Sequence, residues 1–482
     1  MMTVVRAGNS LEEVLRKFPR ETFFRSGERE YSFAEFHRRA AEMAANLQKR
    51  GVSKGDRLAL LAPASAEFLL AIWATWMLGA IAVPLNTRWS PAEVEDACRQ
   101  VGCRYIIGEP LPAISARAVQ PLTFPMLLEG KSPAAEPELV VNNQPASIIF
   151  TSGSTGKPKG VVHSLANHVA SALGSAANLP LAPGDVWLLS LPLFHVGGLA
   201  IPIRCWLGGA TVAIPAPRQP LAEQIARFRP THLSLVGTQL FRLMEDETSV
   251  RLLASAKAVL LGGSAVPKSL IQNALEKGIP VLTSYGSSEM ASQICTTPAN
   301  QPELSLLGSG KLLPGRELRM APNGEIQVKG DTLALGYWKD NGVTSLPLRE
   351  GWLPTGDRGR WRTDNILEVL GRLDNLFISG GENIYPEEIE EAILQLPEVR
   401  QALAVPLPDR EFGQRPAVFI EWSGPKRLTL EELRERLQKK LAGYKLPVRL
   451  LNWPAEFPQK SIKPDRKYFK ELALRKKNKS SV

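Results

Sequence analysis

The chain has 482 residues, more than one ordinary domain of roughly 100–200 residues contains, so we expect a large multi-lobed body and a smaller unit. A hydrophobic fraction of 44% with 22% charged residues is typical of a globular protein and excludes a disordered or fibrous chain. The net charge of +10 comes from basic residues interleaved with acidic ones, except at Arg475 to Lys479. This pattern argues against nucleic acid as a partner and suits polyanionic small ligands.

The cysteines are too scattered for a disulfide framework or a structural zinc site. Cys98, Cys103, Cys205 and Cys295 form no CxxC pair and no repeated spacing. Charged residues interrupt the N-terminus before an apolar run forms, so no signal peptide is expected. A reducing cytoplasm is the predicted location.

One uncharged stretch, Phe68 to Leu85, is long enough to raise the question of a membrane span. Gly79 and Pro84 divide it into a helix-length piece and a short IAV segment that suits a buried parallel strand. We therefore predict two buried core elements and no integral membrane span.

From about Leu58 onward, short apolar runs alternate with amphipathic helical stretches. Examples are RLALLAP, then AEFLLAIWATWML, IAVPLN and PAEVEDACRQVG, and later VWLLSLP, THLSLVG and AVLLGG. This alternation predicts an α/β fold: a large layered N-terminal domain with mostly parallel sheets.

Beyond Ser305 the segments become shorter and are punctuated by glycine and proline. In GRELRMAPNGEIQVKG the turn residues Pro322, Asn323 and Gly324 separate two alternating strands, which indicates a β-rich subdomain. After Asp374 the pattern changes to helix, strand, strand, helix, which predicts a small mobile α+β C-terminal domain. The expected domains are 1–373 and 374–482.

Thr151 to Gly160, TSGSTGKPKG, interleaves glycines with hydroxyl residues and two lysines directly after the apolar run Ser147 to Phe150. Glycines let backbone amides approach anionic oxygens, hydroxyl groups donate hydrogen bonds, and lysine adds positive charge. The spacing is not that of a Walker loop, because Pro158 stands where the magnesium-binding hydroxyl residue would follow lysine. A phosphate-binding loop is the functional interpretation, and a flexible surface loop is the structural one.

This loop resembles the phosphate loop of the adenylate-forming superfamily, which contains acyl-CoA synthetases, firefly luciferase and peptide-synthetase adenylation domains. Further segments resemble that family's motifs in the same order. The resemblance implies that ATP phosphates are bound by Thr151, Ser152, Gly153, Ser154, Thr155, Gly156, Lys157 and Lys159.

YGSSEM, Tyr285 to Met290, resembles a family motif in which an acidic residue holds magnesium and an aromatic ring packs on adenine. The resemblance makes Glu289 a catalytic residue and the Mg²⁺ ligand, and a carboxylate suits a hard cation that bridges phosphates. The same resemblance implies a nucleotide-binding role for Tyr285, Gly286, Ser288, Gly262 and Gly263.

WLPTGD, Trp352 to Asp357, resembles the motif whose aspartate binds both ribose hydroxyls, which assigns Asp357. GRLDNLFISGGENIYPEEIE, Gly371 to Glu390, is the longest match. It implies that Arg372 contacts ribose or phosphate and that Asp374 is the hinge of the small domain. Asn383, Tyr385 and Pro386 lie in the following small-domain stretch.

The family carries a catalytic lysine near its C-terminus, and the corresponding segment here is PQKSIKPDR, Pro458 to Arg466. Lys463 fits the lysine-x-x-arginine spacing, although Ile462 replaces the usual glycine before it. Lys460 is the alternative, and a purely solvated lysine is the structural interpretation.

LPLFHVGGL, Leu191 to Leu199, resembles the family segment that gates the acyl pocket. It implies gating by His195, which is also a catalytic candidate, and acyl contacts from Gly197 and Gly198; Ser284 is a further substrate candidate. The longer run LPLFHVGGLAIPIRCWLGGATV resembles the branch that ligates o-succinylbenzoate to coenzyme A in menaquinone or phylloquinone synthesis, as do THLSLVGTQLFRLM and EMASQICTT. Arg204 would hold the substrate's second carboxylate, and a surface or helix-dipole arginine is the alternative interpretation.

The implied activity is that of an AMP-forming acid–thiol ligase that uses ATP, Mg²⁺ and coenzyme A with a small carboxylic acid. Alternatives are an acyl- or aryl-CoA synthetase for another acid, a peptide-synthetase adenylation domain, and a nucleotide-binding protein without turnover. No carrier domain with a phosphopantetheine serine motif follows, which disfavours the second of these. Assembly into a homo-oligomer is left open.

Overall fold

The computed structural model describes residues 10–27, 29–111, 119–129, 139, 141–151, 158–216, 219–263, 266–455 and 465–477. Over these ranges the strands form sheets of nine, eight, four and five strands. The elements up to the predicted phosphate loop are α1 (Ser10–Lys17), β1 (Thr22–Ser26), β2 (Arg29–Ser32), α2 (Phe33–Lys49), β3 (Arg57–Leu60), α3 (Ala66–Met77), β4 (Ile81–Pro84), α4 (Pro91–Val101), β5 (Tyr105–Ile107), β6 (Gln120–Leu122), α5 (Phe124–Leu128) and β7 (Pro145–Thr151).

The elements after the loop continue the α/β alternation. They are β8 (Lys159–Ser164), α6 (Leu165–Ala176), β9 (Val186–Leu188), α7 (Val196–Gly208), β10 (Thr211–Ala213), α8 (Leu221–Phe228), β11 (His232–Leu235), α9 (Gly237–Leu243), α10 (Glu247–Ala254), β12 (Ala258–Leu261), α11 (Lys268–Glu276), β13 (Val281–Ser287), β14 (Ser292–Thr296) and β15 (Lys311–Leu312).

The remaining elements are mostly strands. They are β16 (Arg316–Met320), β17 (Glu325–Gly330), β18 (Gly336–Lys339), β19 (Gly342–Thr344), β20 (Leu353–Trp361), β21 (Leu367–Arg372), β22 (Phe377–Ser379), β23 (Glu382–Ile384), α12 (Pro386–Leu394), β24 (Val399–Asp409), β25 (Gly413–Trp422), α13 (Leu430–Leu437), β26 (Arg449–Asn452) and α14 (Arg466–Lys477).

Two large sheets form the layered body, and their central strands are parallel. The nine-stranded sheet has the order β15-β14-β13-β12-β11-β9-β10-β1-β2, and the eight-stranded sheet has the order β19-β18-β8-β7-β4-β3-β5-β6. The central strands β4, β9, β11 and β12 are buried along their whole length, as expected where helices cover both faces of a parallel sheet. The predicted α/β class is confirmed.

The uncharged stretch from Phe68 to Leu85 is part of this core. It forms the end of α3 and the strand β4, and Trp73 and Trp76 pack there with ring centroids 5.0 Å apart. Ser65 caps α3 by accepting a hydrogen bond from the Phe68 N–H. Over the described ranges no helix is both long and apolar enough to cross a membrane.

The loop predicted to bind phosphate joins two antiparallel strands. β7 and β8 pair with Thr151 opposite Lys159, and Ser152 to Lys157 lie outside the described residues. A Walker loop, in contrast, leads from a strand into a helix N-terminus. The strand on each side of the loop therefore agrees with the prediction that this is not a Walker loop.

The four-stranded sheet, β16-β17-β20-β21, is the β-rich subdomain, and the turn of its first hairpin contains Gly324 at φ +79° as the turn residues predict. Three of the nearby short strands belong to other sheets. β15 extends the nine-stranded sheet, while β18 and β19 extend the eight-stranded sheet through pairing of β18 with β8. The amino-acid composition of these strands did not predict which sheet each one joins.

The last sheet, β23-β22-β25-β24 with β26 beside β25, belongs to a smaller α+β unit with its own apolar clusters. α12 and α13 cover one side through Ile389 and Leu433, and α14 covers the other through Phe469. The unit meets the larger body through a Lys268–Glu391 ion pair of 3.0 Å and through Arg400, 4.5 Å from the Phe241 ring centroid. The boundary at 373/374 stays a prediction.

Arg316 is a buried cation that joins α6, β14 and β16. Its Nε donates to the Gln293 carbonyl at 2.9 Å, Nη1 donates to the Pro314 carbonyl at 2.7 Å, and Nη2 donates to Ser171 O at 3.2 Å. The guanidinium fits only because Gly174 of α6 lacks a side chain, since a Cβ there would lie 1.7 Å from Nη1.

We predict that Gly174→Ala lowers the free energy of unfolding by about 1–3 kcal/mol, because the methyl group displaces a fully bonded buried guanidinium. The sign is informative, since Gly→Ala inside a helix ordinarily stabilises by about 1 kcal/mol. Urea unfolding measures the effect. Gly342→Ala is the control, because nothing lies within 4 Å of its added Cβ; a stabilised Gly174→Ala variant would contradict the packing.

Candidate active site

Asp357, the predicted ribose residue, lies within β20 and accepts hydrogen bonds at both carboxylate oxygens. The Tyr285 hydroxyl of β13 donates to Oδ2 at 2.7 Å, and Arg372 Nη1 of β21 donates to Oδ1 at 3.2 Å. Burial, followed by the charge of Asp357, raises the pKa of Tyr285. Three residues predicted to bind nucleotide are therefore together, although they are 15 to 87 positions apart in the chain.

Arg372 also binds Asp374, the predicted hinge residue, through two parallel hydrogen bonds of 3.0 Å. Asp374 lies in the 3-10 turn between β21 and β22. The hydrogen bond from Arg372 is the largest cause lowering the pKa of Asp374, and the reverse contact is the largest cause raising the pKa of Arg372. The carboxylate predicted to bind ribose and the predicted hinge residue are thus bound by the same guanidinium, that of Arg372.

The adenine-pocket candidates lie along neighbouring strand ends of the nine-stranded sheet. Gly262 and Gly263 follow β12, and Ser284 of β13 donates to the Leu261 carbonyl at 3.1 Å. Gly286 is required by a close approach, because a Cβ there would lie 1.9 Å from the Ser292 carbonyl of β14. A Cβ at Gly262 would likewise lie 2.8 Å from the Ser284 hydroxyl, so close packing against neighbouring strands requires both glycines.

Glu289, the predicted metal ligand, accepts a hydrogen bond of 3.0 Å from the Tyr337 hydroxyl of β18. The Lys159 ammonium, at the end of the phosphate loop, lies 5.5 Å from the centroid of the same tyrosine ring. The carbonyl of Ser288 accepts from His163 Nε2 of β8 at 2.6 Å, which ties the Glu289 turn to the strand after the loop. The phosphate and metal candidates are therefore adjacent.

This arrangement fits Mg²⁺. Among the described residues no group of three or more His, Cys, Asp or Glu side chains could hold a metal ion. Mg²⁺ commonly takes one or two carboxylates together with substrate phosphates and water, so Glu289 alone is a suitable protein ligand when ATP supplies the other oxygens.

Three of the predicted acyl-pocket residues, His195, Gly197 and Gly198, lie at the start of α7, whereas Ser284 lies on β13. His195 precedes its first residue and packs against Phe194 with ring centroids 4.7 Å apart. Gly197 and Gly198 form the first turn, where Gly198 N–H donates to the His195 carbonyl at 3.0 Å. These contacts fix the start of α7, and the gating role of His195 stays a prediction.

Arg204 lies on α7 and is 4% exposed, so the interpretation as a surface arginine is wrong. Nη2 donates to the Ser292 hydroxyl at 3.3 Å, while Nε has no hydrogen-bond partner among the described residues. Burial, followed by the charge of Arg316, lowers the pKa of Arg204 to about 9. A buried guanidinium with an unsatisfied N–H donor is stabilised when an anion binds it.

Several predicted residues lie outside the described part of the chain. They are Ser152, Gly153, Ser154, Thr155, Gly156, Lys157, Lys460 and Lys463. Thr151 and Lys159 flank the loop as a register pair. The choice between Lys460 and Lys463 stays a prediction.

Sequence reasoning missed three residues that the fold brings to the site: Tyr337 against Glu289, Ser292 against Arg204, and Trp187 against Arg204. Each lies on a strand that reads as ordinary sheet-forming sequence. Of these three residues, Ser292 is marked by its backbone in the structure, because its φ of +111° is rare for a residue with a side chain.

The model of the AMP-binding enzyme family matches residues 11–338, and the model of the AMP-binding enzyme C-terminal domain matches residues 388–461. The chain belongs to the AMP-binding enzyme family. The 2-succinylbenzoate–CoA ligase of Escherichia coli strain K12 is 37% identical over 456 residues, which are 94% of this chain and 95% of that protein.

Solved structures of family members are similar over nearly the whole chain. The o-succinylbenzoate coenzyme A synthetase of Bacillus subtilis in complex with the acyl-adenylate intermediate OSB-AMP has a TM-score of 0.86 at 31% identity, covering 96% of this chain and 98% of that chain. The same enzyme in complex with ATP and magnesium ion has a TM-score of 0.82 at 31% identity, covering 92% and 95%.

Asp357→Asn is predicted to weaken ATP binding by about 10- to 100-fold, because hydrogen bonds to a charged acceptor contribute about 1.5–3 kcal/mol. Its amide NH₂ would also face Arg372. Isothermal titration calorimetry measures the change. Tyr285→Phe is the matched variant: it keeps the carboxylate and removes one donor, so a loss of about fivefold is expected. Equal losses for both variants would argue against a ribose role for Asp357.

Proposed function

We propose that this chain is an ATP-dependent ligase that adenylates o-succinylbenzoate and transfers the acyl group to coenzyme A. The observation that carries the substrate assignment is Arg204, a buried guanidinium on α7 that has one weak hydrogen bond and an unpartnered Nε among the residues that the structure describes. The names of the similar proteins agree with this assignment.

The acid explains why such an arginine is present. o-Succinylbenzoate has two carboxylates, one on the succinyl chain that reacts and one on the aromatic ring that does not. The ring carboxylate can accept from two guanidinium N–H groups at once, a geometry that lysine cannot reproduce. It would neutralise a charge that burial makes costly and would orient the succinyl chain toward the nucleotide.

In the first half-reaction the succinyl carboxylate attacks the α-phosphorus of ATP and expels pyrophosphate. Asp357 and Tyr285 hold the nucleoside, while Lys157 and Lys159 neutralise the phosphates; no protein nucleophile is required. Glu289 would hold Mg²⁺, which when bound neutralises charge on the phosphate oxygens. The C-terminal lysine, Lys463 or Lys460, would reach the reacting carboxylate and the α-phosphate.

In the second half-reaction the thiol of coenzyme A attacks the mixed anhydride, forms the thioester and releases AMP. The small domain, residues 374–482, would rotate at Asp374 to admit the thiol. The Arg372–Asp374 pair spans that boundary, and both partners are about half exposed. His195 would gate the acyl pocket during this exchange.

The product thioester places the reaction in menaquinone or phylloquinone biosynthesis. Coenzyme A as the thiol, a cytoplasmic location and assembly into a homo-oligomer belong to this proposal. An acyl- or aryl-CoA synthetase for another acid is the second candidate, since the nucleotide site is indifferent to the acyl group.

ATP–pyrophosphate exchange against a panel of acids tests the proposal. We expect exchange with o-succinylbenzoate and much less with 4-oxo-4-phenylbutanoate, which differs only by the missing ring carboxylate. Exchange with other acids and none with o-succinylbenzoate would overturn the substrate assignment while leaving the reaction class standing. No exchange with any acid would overturn the adenylation itself.

Arg204→Lys is expected to raise the KM for o-succinylbenzoate by about tenfold or more, and Arg204→Gln by about a hundredfold, because a bidentate ion pair is first weakened and then removed. The KM for ATP should be unchanged, as should the weak activity with 4-oxo-4-phenylbutanoate. Equal losses with both acids would indicate a structural role for Arg204 instead of recognition of the ring carboxylate.

Lys463→Ala and Lys460→Ala separate the two candidate lysines. Replacing the catalytic lysine is expected to slow adenylate formation by about 10²-fold or more, because removing a donor that stabilises transition-state charge has an effect of this size in other enzymes. The other variant serves as the matched control. Indifference of adenylate formation to both changes would remove the lysine from the mechanism.

A further inference from the structure

Trp187 is a fully buried residue that the proposed chemistry does not use. It is the middle residue of β9, is 1% exposed, and lies opposite Val212 of β10 and His232 of β11 in the nine-stranded sheet. It lies 17 positions before Arg204 in the chain, yet its ring faces that side chain.

The indole ring is held by two further contacts. His232 stacks on it with ring centroids 5.2 Å apart and an interplanar angle of 26°. The indole Nε1–H donates to the Ser234 hydroxyl at 3.1 Å, which fixes the rotation of the ring. Because all three side chains project from rigid adjacent strands, the ring has a single orientation.

The Arg204 guanidinium carbon lies 5.3 Å from the centroid of this ring, within the range of a cation–π contact. Among the described residues the other directed contact of Arg204 is its 3.3 Å hydrogen bond to Ser292. A flexible four-torsion side chain with one weak hydrogen bond would sample several orientations if no surface confined it. The fixed indole face supplies that surface.

The charged groups around the stacked rings of Trp187 and His232 favour the contact between Arg204 and the indole. Burial is the largest cause that lowers the pKa of His232 to about 4, with Asp185 and Lys257 acting in opposite directions. The imidazole is therefore neutral near pH 7 and does not repel the guanidinium across the ring. The nearby cation Arg316 is bound by the Gln293, Pro314 and Ser171 carbonyls and does not compete for the indole.

We infer that Trp187 is a positioning residue that sets selectivity for an acid with a second carboxylate, by holding the Arg204 guanidinium in the orientation that accepts it. The inference rests on the proposed function, because it assigns Trp187 to the same acyl site. It predicts that loss of the indole face affects the dicarboxylate substrate and not the monocarboxylate analogue or ATP.

The test compares kcat/KM for o-succinylbenzoate with that for 4-oxo-4-phenylbutanoate in the exchange assay. For Trp187→Leu the ratio is expected to fall about thirtyfold, the size of a desolvated cation–π contact, with an unchanged KM for ATP. Trp187→Phe keeps an aromatic face and is expected to fall about threefold. In combination with Arg204→Gln, either variant should cause no further loss of the ratio.

Trp206→Leu is the matched control, since it removes another buried tryptophan, on α7, whose ring packs on Phe23 and Phe33. It should leave the acid ratio unchanged at a comparable loss of thermal stability. If Trp187→Leu does not fold, Trp187→Phe decides the question. A ratio that stays constant in Trp187→Phe, or that falls equally in Trp206→Leu, would overturn the inference, whereas absence of exchange by the unaltered chain would overturn the proposed function.

Discussion

The carboxylate of Asp357 joins parts of the chain that otherwise belong to different sheets. It accepts from Tyr285 on the nine-stranded sheet and from Arg372 on the four-stranded sheet, and Arg372 in turn binds Asp374 at the start of the small unit. A carboxylate is suited to this position because it can accept several hydrogen bonds at two oxygens. The placement of the nucleotide site and of the predicted hinge both depend on this group.

The small unit has its own strong internal contact next to this junction. Arg466 Nη1 donates to Glu390 Oε1 at 2.5 Å and Nη2 lies 3.4 Å from Glu387, so α14 is tied to α12. The pairs that cross to the larger body, such as Lys268 with Glu391, have partners that are 42% and 53% exposed. Exposed pairs contribute about 0–1 kcal/mol, so this ion pair adds little to the cost of the rotation proposed for the small unit.

The sequence predicted the elements whose local signal is strong. Apolar runs such as VWLLSLP became β9 and its continuation, and the turn at Gly324 formed as its residues required. It did not assign β18 to the eight-stranded sheet, because partner choice depends on the packing of the whole chain and not on the strand's own residues. For the same reason Tyr337, which β18 brings against Glu289, escaped notice.

Some site residues could likewise be predicted from local motifs, and others could not. The nucleotide candidates were recoverable because each sits in a short motif, whereas the environment of Arg204 depends on a helix packing over a sheet. The two buried guanidiniums illustrate the difference: Arg316 is satisfied by three backbone carbonyls, but within the described part of the chain Arg204 has a single 3.3 Å hydrogen bond and an unpartnered Nε.

A fold gains nothing from an uncompensated buried cation, since leaving one partner out of a buried ion pair costs about 3–5 kcal/mol. Arg316 shows that backbone carbonyls near α6 and β14 can satisfy a guanidinium at this depth. The orientation of Arg204 toward Ser292 and the indole of Trp187, and away from such carbonyls, is therefore a cost that folding alone does not explain. The ring carboxylate of the proposed substrate would supply the missing partner, so that stability which the free protein lacks at Arg204 would become selectivity when the acid binds.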